Sequence, residues 1–342
     1  MKTTIKVVSV IACMLLLIIC SESAVYGAKI ALEICASTVI PSLFPFMAVS
    51  SYMIKSGCLA FLGNKCKKVS RFLFDLPGQA GVIFLMSTVG GFPVGSKLVS
   101  DCVKNGSLTQ NQGKRMLLFC VNPGPAFVIN VVGYFMLGSK RAGVILLIGL
   151  CAASFLTGVV SRFFKDKSDV KADFEINRDS SPLVNAVSES IAAILSICGW
   201  IVMLSVLLNM INVSSLPINL KHWVTMLAEV TGGCRVAVDS FPLPFVAFVL
   251  GWAGVAVHGQ VFAYISSVGL KYRYFAVSRV FNATLSMGIS YILFKLFPCQ
   301  VAVFSNAGEI LPRGVSVSVP ATIGMLFLSA LVILDLAPKR KV

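Results

Sequence analysis

Charge is what this sequence has least of. Charged residues fill 13% of its 342 positions, against roughly 25% in a soluble domain, so a water-soluble globule is excluded. Acid is scarcer than base, with 14 Asp and Glu against 29 Lys and Arg. Histidine occurs twice, as His222 and His258, which rules out a His-Glu-x-x-His metal site. A Gly-rich phosphate loop closing on Lys-Ser or Lys-Thr is also missing. The eleven cysteines lack zinc-site spacing, and Cys20, Cys35, Cys120, Cys151 and Cys198 fall inside apolar windows, where cysteine packs as a small hydrophobe. An enzyme, a resident metal and a cofactor are therefore not expected.

What fills the chain is apolar sequence, 57% of it. Windows long enough to span or enter a bilayer, where about 17–25 residues make a full crossing, lie at Val7–Cys20, Ile34–Ile54, Gln79–Ser96, Met116–Gly138 and Val144–Val160. A second set lies at Ile191–Val213, Phe241–Leu270, Phe281–Leu296 and Val315–Leu334. The expected fold is an all-α polytopic membrane protein with about eight to ten membrane segments. The net charge of +15 follows from the bias of Lys and Arg toward cytoplasmic loops and needs no nucleic-acid partner. The expected cytoplasmic elements are Lys65-Cys66-Lys67-Lys68 with Arg71, the stretch Ser161–Ser181, Lys271–Arg279, and the tail Lys339-Arg340-Lys341.

The organisation reads as residues 1–27, a first membrane helix or signal segment; 28–160 and 183–335, two repeats; 161–182, a charged cytoplasmic loop; and 336–342, a basic tail. Lys2, Lys6, the run Val7–Cys20 and Ser21-Glu22-Ser23-Ala24 fit both a signal peptide cut after Ser23 and an uncleaved helix. Bulky Ile19 ahead of Cys20 opposes a lipoprotein site.

Three glycines and a proline in Gly90-Gly91-Phe92-Pro93-Val94-Gly95 cannot continue a regular helix. Broken backbone at membrane depth is tolerated only inside protein or along a polar cavity. Gly91–Lys97 aligns without gaps with Gly254-Val255-Ala256-Val257-His258-Gly259-Gln260, and the same register sets Gly106 opposite Gly269. Ala36–Ser50 matches Ile191–Ser205 loosely, in another register. Interrupted apolar segments at corresponding places point to a transporter site near the bilayer midplane. With the basic N-terminal end and Lys65–Arg71 inside, Ile34–Ile54 runs inward, whereas Ile191–Val213 runs outward from a cytoplasmic Ser161–Ser181 loop, the opposed sense of an inverted repeat. Lys140-Arg141 fits this topology badly, and Gln79–Ser96 must be re-entrant if Lys97–Arg115 lies inside.

The candidate chemistry follows from the breaks. Gly91, Pro93, Gly95 and Ser96 are expected to expose a helix N-terminus near Ser96, whose free N–H groups join Lys97 in an anion site. The alternative for Lys97 is a stem on apolar surface and an ammonium at the interface. Asn122 and Gly124, in Asn122-Pro123-Gly124-Pro125, make a second break in the same half or a simple proline kink. Glu229 with Thr231 and Gly232 supplies an acid for a coupling proton or sodium ion; the alternatives are a solvated acid or a partner of Arg235. His258 and Gln260 offer donors and acceptors to a carboxylate or ring nitrogen, though a buried histidine satisfied by a carbonyl is the commoner arrangement. Arg279 and Asn282 could complete the site, with a positive-inside anchor the plainer role for Arg279.

Pro41-Ser42-Leu43-Phe44-Pro45-Phe46, Gly91–Lys97, Asn122–Pro125, Glu229-Val230-Thr231-Gly232-Gly233 and Val257-His258-Gly259-Gln260 together resemble the YlbJ (SpoVV) family of sporulation integral membrane proteins. That family carries the nucleoside-recognition (Gate) domain found in concentrative nucleoside transporters. The resemblance runs from the second apolar segment to the last. It implies a nucleoside-transporter-like architecture in the mother-cell membrane around the forespore and transport of dipicolinic acid, a small anionic solute. It also leaves room for another small-solute or nucleoside carrier, for a non-transporting scaffold, and for a homo-oligomer. Trp252-Ala253, where a glycine-rich approach to His258 is expected, and Gly259, smaller than expected, depart from the family pattern.

Overall fold

The computed structural model describes residues 2–164, 181–213 and 216–299. Every regular element among them is helical, and the chain is an all-α polytopic membrane protein. The charged stretch at 165–180, the window Val315–Leu334 and the basic tail lie outside the described residues.

The chain opens with α1 (Lys2–Ile19) and α2 (Ser21–Ile34), which bend by 92° at Cys20. A π-helical turn at Cys35–Val39 leads into α3 (Ile40–Lys55), and the turn at Gly57 swings α4 (Cys58–Phe74) by 82°. Lys65, Lys67, Lys68 and Arg71 therefore ride on a helix rather than in the loop expected from their charge. Next come α5 (Gly78–Gly90), α6 (Phe92–Lys104) and α7 (Gln110–Leu117). The start of α7 is fixed by a capping box, Thr109 and Gln112 each bonding the other's backbone N–H. An irregular stretch at 118–125 precedes a π-helical segment, Ala126–Met136, and then α8 (Lys140–Val160). The second half holds α9 (Pro182–Val213), α10 (Ile218–Ala228), α11 (Val230–Ser240), α12 (Pro244–Trp252), α13 (Gly254–Val268) and α14 (Tyr272–Leu296).

Three stretches are long and apolar enough to cross a bilayer: Lys140–Phe164, Pro182–Ile211 and Pro244–Phe262. The bent pairs around Cys20 and Gly57 raise this to five among the described residues. The sequence windows suggest more because several of them are cut. Gly91 divides Gln79–Ser96, and the Asn122–Pro125 break divides Met116–Gly138, into helices too short to span about 30 Å alone.

In lipid the hydrophobic effect does not press helices together, so close packing of small residues does. A Cβ on Gly133 would sit 2.6 Å from Gly143 Cα, and one on Gly251 would sit 2.7 Å from Ala283 Cα. These contacts hold the π-helical segment on α8 and α12 on α14. Phe74, Phe84, Phe119 and Phe155 form an aromatic cluster, with Phe74 and Phe119 stacked at 5.2 Å. It wedges α4, α5 and α8 against the stretch that follows α7. Apolar side chains such as Leu85, Ile148, Leu195 and Ile292 point outward, as a lipid-facing surface requires.

Four glycines punctuate the backbone at comparable places in the two halves. α6 begins after Gly91 and is followed by Gly106; α13 begins at Gly254 and is followed by Gly269. All four glycines have positive φ, from +73° to +89°. The series α5, α6, α7 thus matches α12, α13, α14 in order and in its punctuation. α6 and α13 pack on each other, joined by a 2.8 Å hydrogen bond between the Ser100 and Ser267 hydroxyls.

Candidate solute site at the helix breaks

Gly91 has φ +89° and ψ −179°, a backbone region essentially open to glycine alone. α6 then starts at Phe92, with Pro93 in its first turn, where a missing N–H costs nothing. The helix N-terminus therefore lies four residues ahead of Ser96, which corrects the sequence reading. Ser96 and Lys97 sit in the second turn, and the Ser96 hydroxyl donates back to the Pro93 carbonyl at 3.0 Å.

The two breaks of the first half meet. A Cβ on Gly91 would lie 3.5 Å from the Gly124 nitrogen, and one on Gly95 would lie 1.8 Å from the Cys120 carbonyl oxygen. α6 thus packs directly on the backbone of the 118–125 stretch. Asn122 is buried, donating to the Phe119 carbonyl at 3.0 Å and the Ser87 hydroxyl at 3.5 Å. Its own carbonyl accepts from Ser154 of α8.

The second half repeats the arrangement with different chemistry. Glu229 separates α10 from α11, and its carboxylate accepts from the Thr231 N–H at 2.7 Å and the Gly232 N–H at 2.6 Å. It is a helix cap, stabilised by the N-terminal end of the dipole. A Cβ on Gly254 would meet the Ala228 carbonyl oxygen at 3.0 Å and the Glu229 backbone nitrogen at 3.1 Å, so this pair of breaks also touches. Ala253, ahead of it, has φ +73°, left-handed backbone that a non-glycine residue seldom adopts.

His258 is buried between Trp252 and Tyr272. Its Nε2 lies 3.0 Å from the Trp252 carbonyl and its Nδ1 2.9 Å from the Tyr272 hydroxyl. A carbonyl only accepts, so Nε2 carries a proton, and the Tyr272 hydroxyl, which can donate or accept, completes the ring's hydrogen bonding at Nδ1. Trp252 lies 4.4 Å from the imidazole and donates its indole N–H to the Leu227 carbonyl. Gly259 lies under Trp200, where a Cβ would come 2.5 Å from the ring, which accounts for the small residue. Gln260 is buried on the same helix.

Lys97 is buried and does not stand free. Its ammonium donates to Ser51 of α3 and to Asp101 of α6, both at 2.7 Å, and lies 3.7 Å from Glu189 of α9. Glu189 also holds Lys55 at 2.9 Å. Two bases and two acids balance here, in a lock separate from the glycine breaks.

The charge that the breaks do receive is Arg279. Its side chain is 1% exposed, not an interfacial anchor as its basic neighbours Lys271 and Arg273 suggest. The guanidinium donates to the Val121 and Leu118 carbonyls and lies 5.5 Å over Phe275, whose ring is 5.2 Å from His258. Arg279 opens a buried polar stripe along α14 that continues through Asn282, Ser286 and Ser290. Asn282 donates to Ser154 at 3.1 Å, which links the stripe to Asn122. The fourfold spacing of Ser278, Asn282, Ser286 and Ser290 is the signal that could have revealed it.

Of the residues expected to form one site, Gly91, Gly95, Asn122 and Gly124 are brought together, and Arg279 links them through Phe275 to His258. Glu229, Thr231 and Gly232 meet Gly254 in a second cluster. Pro93 and Ser96 serve the start of α6, Gln260 lies on α13, and Lys97 belongs to the ion lock. No family model matches the chain, and no solved structure matches it. Among curated proteins it is similar to the sporulation integral membrane protein YlbJ of Bacillus subtilis (strain 168), 21% identical over 319 residues, which cover 80% of this chain and 78% of that protein.

Proposed function

We propose, from its similarity to the sporulation integral membrane protein YlbJ, that the chain is a secondary carrier acting in endospore formation. Its solute is a small aromatic dicarboxylate, dipicolinic acid, moved across the mother-cell-derived membrane that surrounds the forespore. The observation that carries this reading is the contact of two interrupted segments in each half, Gly91 against Gly124 and Gly254 against Glu229. Such breaks leave backbone N–H and C=O groups without helical partners inside the protein, the usual place for a solute at the membrane midplane. They also divide rigid helices into pieces that can rock about the glycines, which alternating access needs. A scaffold has no use for paired breaks lined by Asn122, His258 and a buried guanidinium.

Purified protein in liposomes tests the reading, with uptake of labelled dipicolinate measured beside uridine. Saturable dipicolinate uptake that unlabelled dipicolinate competes away is the expected result. Uptake of uridine alone would make the chain a nucleoside carrier. Uptake of neither, by inserted and folded protein, would leave the scaffold reading in its place.

A further inference from the structure

Arg279 is a permanent cation buried in the interior. Its side chain is among the largest fully buried ones, and among the described residues no carboxylate lies within ion-pair reach. Lys97 and Lys55, by contrast, are each matched to a carboxylate. An arginine cannot escape the cost by losing its proton, and burying an unmatched ion costs several kcal/mol after relaxation. Two backbone carbonyls, from Leu118 and Val121, offset part of this. They leave Nε buried without any hydrogen-bond partner. Buried polar groups are almost always satisfied, so an orphan donor on an unmatched cation calls for an acceptor. The two carbonyls it does hold belong to the break that Gly91 and Gly95 pack against.

We infer that Arg279 is the residue that receives a carboxylate of the solute, resting on the carrier reading above. The Nε–H and one Nη2–H form the side-on fork that matches a carboxylate's two oxygens. Nε has no partner, and Nη2 carries a second N–H beside the one given to the Leu118 carbonyl. A carboxylate can therefore take the fork while Leu118 and Val121 keep their bonds. One guanidinium then holds both the solute and the helix break.

The test uses the full chain, purified and reconstituted in nanodiscs, with dipicolinate and its neutral analogue pyridine-2,6-dimethanol as probes. Affinity is read by calorimetry for the wild type, Arg279→Lys and Arg279→Gln. The wild type should prefer dipicolinate over the diol. Arg279→Lys, which keeps the charge and loses the fork, should weaken dipicolinate binding about tenfold. Arg279→Gln should weaken it about a hundredfold or more while leaving binding of the diol unchanged. Equal dipicolinate affinity in the wild type and Arg279→Gln would overturn the inference and leave the carrier reading standing. Equal loss of both probes would make Arg279 a structural staple and also overturn it. If Arg279→Gln does not fold, Arg279→Lys decides, since unchanged affinity there removes the fork. A wild type that binds no dipicolinate overturns the proposed solute and this inference together.

Discussion

Lys97 Nζ lies 2.7 Å from Asp101 Oδ2, one turn along the same helix, and the pair is tied to α9 through Glu189. An intrahelical pair alone would add little, about 0.2–0.5 kcal/mol. The gain lies in the third and fourth partners, Glu189 and Lys55, which make the pair a junction between α3, α6 and α9. A neutral junction of that kind suits a latch between helices that move relative to each other better than it suits a free anion site.

Lys97→Met and Asp101→Asn should therefore behave alike. Each leaves unmatched charge in the junction, but Asp101 and Glu189 keep side-chain exposures of 23% and 47%. Water can then compensate, and the cost in stability should be about 1–2 kcal/mol rather than the larger value of a sealed pair. Dipicolinate uptake should fall by a similar factor in both variants, measured at equal protein insertion. Loss of uptake in Lys97→Met with wild-type uptake in Asp101→Asn would show that Lys97 acts on the solute itself.

Gly95 is the tightest point between α6 and the break. A methyl group there would meet backbone, the Cys120 carbonyl, at 1.8 Å, with no flexible side-chain end to yield. Gly95→Ala should lower the melting temperature strongly, in keeping with an overpacking cost of about 1–3 kcal/mol or more. Gly288 is the control within α14, because nothing lies within 4 Å of its position. Gly288→Ala should be neutral or stabilising by up to about 1 kcal/mol through helix propensity. The comparison is made by thermal unfolding in one detergent.

The places where sequence alone gave the right geometry share a physical cause. Gly91, Gly106, Gly254 and Gly269 were legible because positive φ is a local demand that leaves a local mark, and the spacing of the marks repeats. Arg279 was not legible. Its charge, beside Lys271 and Arg273, reads as part of a basic loop, and only the packing of α14 against α8 and α12 shows the guanidinium turned inward. Lys97 was half legible: the break beside it was clear, while Glu189, its partner across α9, comes from the other half of the chain. The start of α6 was misplaced because proline was read as an interruption, whereas at Pro93 it helps to begin a helix.

Glu229 can be assigned between capping and ion coupling by two substitutions. Asparagine is a strong N-cap without charge, and alanine is not a cap. If capping is the role, Glu229→Asn should stay within about 0.5 kcal/mol of the wild type and Glu229→Ala should lose about 1 kcal/mol. Both should keep uptake once folded. Abolished uptake in the well-folded Glu229→Asn variant would instead make the carboxylate a coupling group.

Gly254 and Gly106 separate backbone strain from the contact between breaks. Their φ values are close, +73° and +78°, but Gly106 has nothing within 4 Å whereas Gly254 faces Ala228 and Glu229 backbone atoms at 3.0–3.1 Å. Gly106→Ala should thus show the left-handed penalty alone, about 1–2 kcal/mol, with uptake preserved. Gly254→Ala adds a push between α10 and α13 to the same penalty. Its melting temperature should fall further, and its uptake should drop because the two breaks can no longer close on each other. Equal stability and equal uptake in the two variants would mean that contact between Gly254 and Glu229 is incidental, and the paired-break account of this half would fail.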